Sequence, residues 1–246
     1  MIIDKSSVLV QYCTFSGNEA SIDSTLSTIT IDSCNFVNNS LTGCDPEYHR
    51  KTMITAVNGP QTSKSVTVTN CNFNDNQILH YEYPGTLLFI DGSTLVLNNS
   101  FTSNIGFRND ILHVNTEIII DHKNVYDNEV YRAVVYVNGI HISTTISHNN
   151  FANNTATAVL LHVSDSVVTI SDSDFRNYVG NFLINRAVAI GPGEYNVYDC
   201  SLKTSVMIIG CTFVNDYNTL LKLWNGAVDI CTDTGSVSII YTERVC

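Results

Sequence analysis

One pattern recurs along the chain and limits what it can fold into. Two apolar residues stand two apart, a polar gap follows, then Phe, then Asn three later. The first copies read Val8-x-Val10…Phe15-x-x-Asn18, Ile29-x-Ile31…Phe36-x-x-Asn39 and Val66-x-Val68…Phe73-x-x-Asn76. Leu95-x-Leu97…Phe101-x-x-Asn104 reads one residue short in the gap. Ile118-x-Ile120…Val125-x-x-Asn128 has Val in the Phe place, and Ile146…Phe151-x-x-Asn154 follows. Val168-x-Ile170…Phe175 and Val206-x-Ile208…Phe213 carry Tyr178 and Asp216 in the Asn place. Ile240…Val245 reads as a ninth copy. The anchors lie 21, 37, 28, 24, 26, 24, 38 and 32 residues apart.

Each unit also holds a second β-branched segment, several closed by an Asx-Gly signal: Asn58-Gly59, Asp91-Gly92, Asn138-Gly139 and Asn225-Gly226. The periodicity is that of strands, and no stretch of ten or more residues repeats at helical spacing. Short strands, polar turns and a unit of 21–26 residues suit one coil of a β-solenoid. The expected fold is therefore all-β: a right-handed parallel β-helix of about nine coils, without substantial helix, as a single domain over residues 1–246. Coils stacked about 4.8 Å apart would make a rod roughly 40 Å long. Asn18, Asn39, Asn76, Asn104, Asn128 and Asn154 fall at one turn, where stacked amides can form a hydrogen-bonded ladder.

Composition agrees with stacking. Only 14% of residues are charged while 44% are hydrophobic, which is not the balance of a disordered chain. A charge repeated on every coil would face a like charge one coil away, and amides and hydroxyls avoid that cost. The net charge of −11 argues against nucleic-acid binding, and no apolar run approaches a membrane span.

The eight cysteines are Cys13, Cys34, Cys44, Cys71, Cys200, Cys211, Cys231 and Cys246, with no C-x-x-C among them. The even count, with sequons at Asn38, Asn98 and Asn153, points to an oxidising, extracellular setting and to disulfides. Connectivity stays open. Cys13–Cys34 with Cys44–Cys71 is one set, leaving Cys200, Cys211, Cys231 and Cys246 to pair among themselves. The N-terminus lacks a basic start followed by an apolar core, as if a leader had been removed or the chain were part of a longer precursor. Neither end shows a capping segment, which suggests a cut from a longer β-helix or end-to-end stacking into a filament.

The F-x-x-N repeat with Cys two before the Phe (Cys13, Cys34, Cys71, Cys211) resembles right-handed parallel β-helix proteins of the pectate-lyase-like superfold. It is most similar to the repeats of polymorphic outer-membrane-protein adhesins of chlamydiae and similar protist surface proteins. The resemblance implies a surface-exposed structural or adhesive β-helix, with partners among copies of itself, other surface proteins or glycans.

Insertions near 41–52, 77–85 and 191–204 are the expected loops. The first two carry Tyr48, His49, Arg50, Tyr81 and Tyr83, residue types suited to binding a sugar or a protein partner. His122, His148 and Asp172 share one column and are the candidate metal ligands, although a plain ladder role is expected more often. His113, Tyr136 and His162 share another column. No catalytic residue, cofactor or metal is assigned. The alternative function is a polysaccharide-acting lyase or hydrolase, or a carbohydrate-binding module. Ile120-Asp121-His122 resembles the I-D-H element of pectate lyases, but no R-x-P follows and Arg108, Arg132, Arg176 and Arg186 are scattered.

Overall fold

The structure is a computed structural model. It describes residues 1–18, 22–41, 51–58, 65–78, 85–91, 93–106, 112–114, 118–130, 133–156, 159–176, 186–190, 205–214, 228–230, 237–240 and 243–245.

One coil shows the local logic. Ile22–Thr25, Thr28–Asp32 and Asn35–Val37 are three strands on three faces, followed by the short Ser40–Leu41. In Thr28–Asp32 the alternation is strict. Ile29 and Ile31 are fully buried, while Thr28, Thr30 and Asp32 are half-buried. The chain leaves each strand through a single residue of positive φ: Leu26 (48°), Ser33 (53°) and Asn38 (52°). Such left-handed residues let the backbone turn sharply without a long loop.

Every strand pairing among the described residues is parallel, so the fold is a parallel β-helix. Parallel crossovers are right-handed in nearly all proteins. A nine-stranded sheet runs from Thr14–Ser16 to Glu243–Val245. A five-stranded sheet of two-residue strands starts at Ser40–Leu41. The other two faces merge into one sixteen-stranded sheet, because Ala133–Ser147 and Val159–Ser171 run straight through the corner between them. Asn138, expected to close a strand with Gly139, lies instead inside the first of these, at a register shift.

Stacking in register puts like residues on like. Phe15, Phe36, Phe73 and Phe101 pair in sequence. Their rings stack 4.7, 4.7 and 4.8 Å apart within 6° of parallel. Val125 interrupts the column, and Phe151 and Phe175 resume it at 5.0 Å. Aromatic pairs usually prefer an offset or edge-on arrangement, so here the coil spacing sets the geometry. Each buried Phe contributes about 2–3 kcal/mol.

Two details of the repeat differ from the sequence reading. In the fourth copy the inward residues are Thr94 and Val96, while Leu95 is half-exposed, so the gap to Phe101 is the regular one. Side-chain hydrophobicity alone had favoured the two leucines. In the ninth copy Arg244, not Val245, pairs with Phe213, because Ile239 takes the place of Ile208.

The loops are also shorter than expected at their edges. Ser40–Leu41, Gln77–Ile78, Gly85–Asp91 and Lys51–Val57 are strands. Tyr48, His49, Arg50, Tyr81, Tyr83 and the 191–204 segment lie outside the described residues.

Outward positions on the widest face form a regular column: Leu9, Thr30, Thr67, Leu95, Ile119, Thr145, Thr169 and Met207. The result is a column of hydroxyl and aliphatic groups.

Candidate functional site

Three corners carry polar columns, and each follows from the turn that precedes it. At the corner after the anchor strand, Asn39 is typical. Its backbone N–H and its Nδ2 both donate to Asn76 Oδ1, at 3.1 and 2.9 Å, and Nδ2 also donates to the Phe15 carbonyl at 2.9 Å. Asn76, Asn104 and Asn128 repeat this onto Asn104, Asn128 and Asn154. Asn18 joins through its backbone N–H to Asn39 Oδ1. A second, shorter ladder links the Ser6 N–H to Ser27 Oγ and the Ser27 N–H to Asn58 Oδ1.

The third corner holds Cys13, Cys34, Cys71, Asn99, Lys123, Asn149, Ser173 and Cys211 in one column. The same job is done by thiol, amide or hydroxyl. Cys71 N–H donates to Asn99 Oδ1 at 2.8 Å, Lys123 N–H to Asn149 Oδ1 at 3.0 Å, and Asn149 N–H to Ser173 Oγ at 3.1 Å. The Cys34 and Cys71 thiols donate to the carbonyls of Asp32 and Thr69, at 3.2 and 3.1 Å.

Cys13, Cys34, Cys71 and Cys211, expected as disulfide candidates, are free thiols in this structure. Their Sγ atoms are committed to backbone carbonyls of the turn. Burial pushes Cys71 up to about 12 and raises Cys34 and Cys211 as well, so these thiols are protonated at neutral pH and chemically quiet. Cys44, Cys200, Cys231 and Cys246 lie outside the described residues. Among the four described cysteines, a thiol reagent at pH 8 is expected to modify half-exposed Cys13 first and to reach Cys34, Cys71 and Cys211 only in denaturant. A peptide mass showing a Cys13–Cys34 disulfide would refute this arrangement.

The sequons follow from the same turns. Asn38, Asn98 and Asn153 are exposed left-handed residues, each followed by a buried ladder Asn and then Ser or Thr. Turn chemistry alone therefore writes N-N-S/T.

One stretch of the third corner is chemically different. Its left-handed residues run Tyr12, Ser33, Asn70, Asn98, His122, His148, Asp172 and Gly210. His122 and His148 stack with ring centroids 4.7 Å apart and planes 19° from parallel. Asp121, the last residue of the strand Ile118–Asp121, sits beside them. Its Oδ2 lies 2.6 Å from His122 Nδ1, its Oδ1 lies 2.9 Å from His148 Nδ1, and Ser147 Oγ donates to Oδ1 at 2.7 Å. Burial works to raise the Asp121 carboxyl, but hydrogen bonds from Ser147, His148 and His122 outweigh it and hold the group at about 2. An ionised carboxylate only accepts, so both rings carry their proton on Nδ1. His148 Nε2 is 3.9 Å from Asp172 Oδ2. His122, His148 and Asp172 line an open groove of about 450 Å³ with Asn124, Asn150, Asp174 and Gly210.

Asp32 occupies the same column position as Asp121 and provides a contrast. Gln11, Thr69, Asn70 and Ser33 donate to it, and these bonds hold it at about 2. Amides and hydroxyls therefore suffice to cap that position. At Asp121 the Ser147 hydroxyl is joined by two imidazoles.

Lys123 is a residue of this corner that the sequence reading missed. It stands where other coils have Cys, Asn or Ser, is 2% exposed, and its Nζ has no hydrogen-bond partner. The signal was present: it is the one charged residue two before any of the first eight anchors. The second-strand column is confirmed only as backbone register, His113 to Tyr136 to His162.

No family model matches the chain, and no curated protein matches it. Three chains of solved structures match. One is a trypsin-treated form of QnrB1, described as a plasmid-mediated fluoroquinolone resistance protein. It aligns at a TM-score of 0.35 and 9% identity, over 94% of this chain and 91% of that one. A likeness at that level carries no argument about function.

Proposed function

We propose that this protein is an extracellular structural or adhesive β-helix, acting as a rigid rod that presents a flat surface. The observation that supports it is the unbroken Asn39–Asn76–Asn104–Asn128–Asn154 ladder, in which the interior polar groups serve coil-to-coil contact. Such repetition stiffens a rod and does not converge on a substrate. The outward column of Thr and aliphatic residues supports adhesion, and the likeness of the repeats to surface adhesins agrees with it. Exposed turn positions at Asn38, Asn98 and Asn153 leave room for glycans. The partners in this reading are copies of the same chain, in a filament or side by side, other surface proteins, or glycans. No helix among the described residues is long and apolar enough to cross a membrane.

The test is retention without turnover. The purified chain is incubated with a panel of insoluble polysaccharides and with immobilised copies of itself. Retention on at least one surface is expected, with no new reducing ends and no unsaturated products. Release of either product, or no retention on any surface, would overturn the proposal.

A further inference from the structure

We propose that His122, His148 and Asp172 bind one divalent transition-metal ion of the zinc, nickel or copper class, with Asp121 orienting both imidazoles. The geometry begins with the coil spacing, which places consecutive left-handed corner residues over one another. In this column alone, among the described residues, His, His and Asp follow on consecutive coils. One carboxylate accepts from both Nδ1 atoms, at 2.6 and 2.9 Å, and the rings are near parallel. Both Nε2 lone pairs therefore face the same side, away from Asp121. A ligating histidine that gives its other N–H to a carboxylate is the usual arrangement around protein-bound metals.

The third donor is placed on that side. His148 Nε2 and Asp172 Oδ2 are 3.9 Å apart. Two donors each about 2.0–2.2 Å from one ion span roughly that distance. His122 and His148 have side chains 59% and 52% exposed, so small rotations can bring the second nitrogen in. Gly210 is the independent observation. A Cβ at that position would lie 2.7 Å from Asp172 Oδ1, so glycine leaves the carboxylate its space on the next coil. Two imidazoles and one carboxylate, with open positions for water, select borderline transition metals over Ca²⁺ and Mg²⁺. The inference stands apart from the adhesive role, since it concerns one corner only.

The test is titration of the chelator-stripped full chain with ZnCl₂ or NiCl₂, followed by calorimetry and by NMR of the imidazole nitrogens. One ion per chain with micromolar affinity is expected, with Nε2 rather than Nδ1 resonances shifting. His122→Asn, His148→Asn and Asp172→Asn should each weaken binding at least tenfold. Asparagine suits the turn, since Asn70 and Asn98 hold the same conformation in this column. Asp121→Asn should weaken binding about tenfold as a positioning residue. CaCl₂ should give no saturable signal. Absence of saturable zinc or nickel binding, no shift of either imidazole in the wild-type chain, or unchanged affinity in a His122→Asn/His148→Asn double variant would each overturn the proposal.

Discussion

Replacing Lys123 with methionine is expected to stabilise the protein by about 3–5 kcal/mol at pH 7. Burial pushes the Lys123 amine down from 10.5 to about 6. The charge of Asp121 opposes this without overcoming it, and Cys71, held near 12, is neutral and adds nothing at pH 7. The folded chain at pH 7 therefore carries a neutral amine where the unfolded chain carries an ammonium. The sign follows directly. Between pH 6 and 10.5 the unfolded state binds more protons, so stability rises with pH across that window, by about 1.4 kcal/mol per pH unit. Below pH 6 both states are protonated and the full penalty remains. Methionine has similar length, no charge and no unmet hydrogen bond. Urea unfolding with EDTA present, at pH 7 and pH 9.5, should show a higher midpoint for Lys123→Met at pH 7 and a smaller gain at pH 9.5. Equal or lower stability at pH 7 would show that the amine is solvated.

The opposite effect is expected at the centre of the amide ladder. Asn104 Nδ2 donates to the Phe73 carbonyl and to Asn128 Oδ1, both at 2.9 Å. Its Oδ1 accepts from the backbone N–H and Nδ2 of Asn76, at 3.1 and 2.9 Å. Asn104→Ala removes all of these within a dry corner, since Asn76 and Asn104 are 0% and 1% exposed. Leaving a buried donor or acceptor unmet costs about 1–3 kcal/mol per group, so a total loss of about 3–5 kcal/mol is expected. Asn72→Ala is the control. It removes an exposed amide pair with Asn35 on the outer surface and should change stability by about 0.5 kcal/mol or less. If the two variants were equally stable, the ladder would be a crystallised-looking ornament of repetition and not a structural device.

Much of this molecule is legible in its sequence because a solenoid is nearly one-dimensional. Ile29, Ile31, Phe36 and Asn39 predict their own coil, and each repeat predicts the next. The misreadings arose where chemistry and position part company. Leu95 looks like a core residue but points outward beside buried Thr94 and Val96. Cys34 and Cys71 share a column with Asn99 and Ser173 and perform the same turn-bonding task, which residue type alone does not announce. Of the corner site, His122, His148 and Asp172 could be aligned by counting from their anchors. The parts played by Asp121 and Gly210 could not, because they depend on side-chain distances across coils.

The sequence by itself determined the coil, most of its inward residues and its amide ladder, since these are set by a repeat read along one dimension. Only the tertiary structure decided which groups meet across coils: one carboxylate between two stacked imidazoles, a lysine buried in the same corner, thiols held by carbonyls. Spacing in sequence varies from coil to coil, whereas spacing in space is held near 4.8 Å by the parallel hydrogen bonds. The chemistry of the corner arises from that fixed distance.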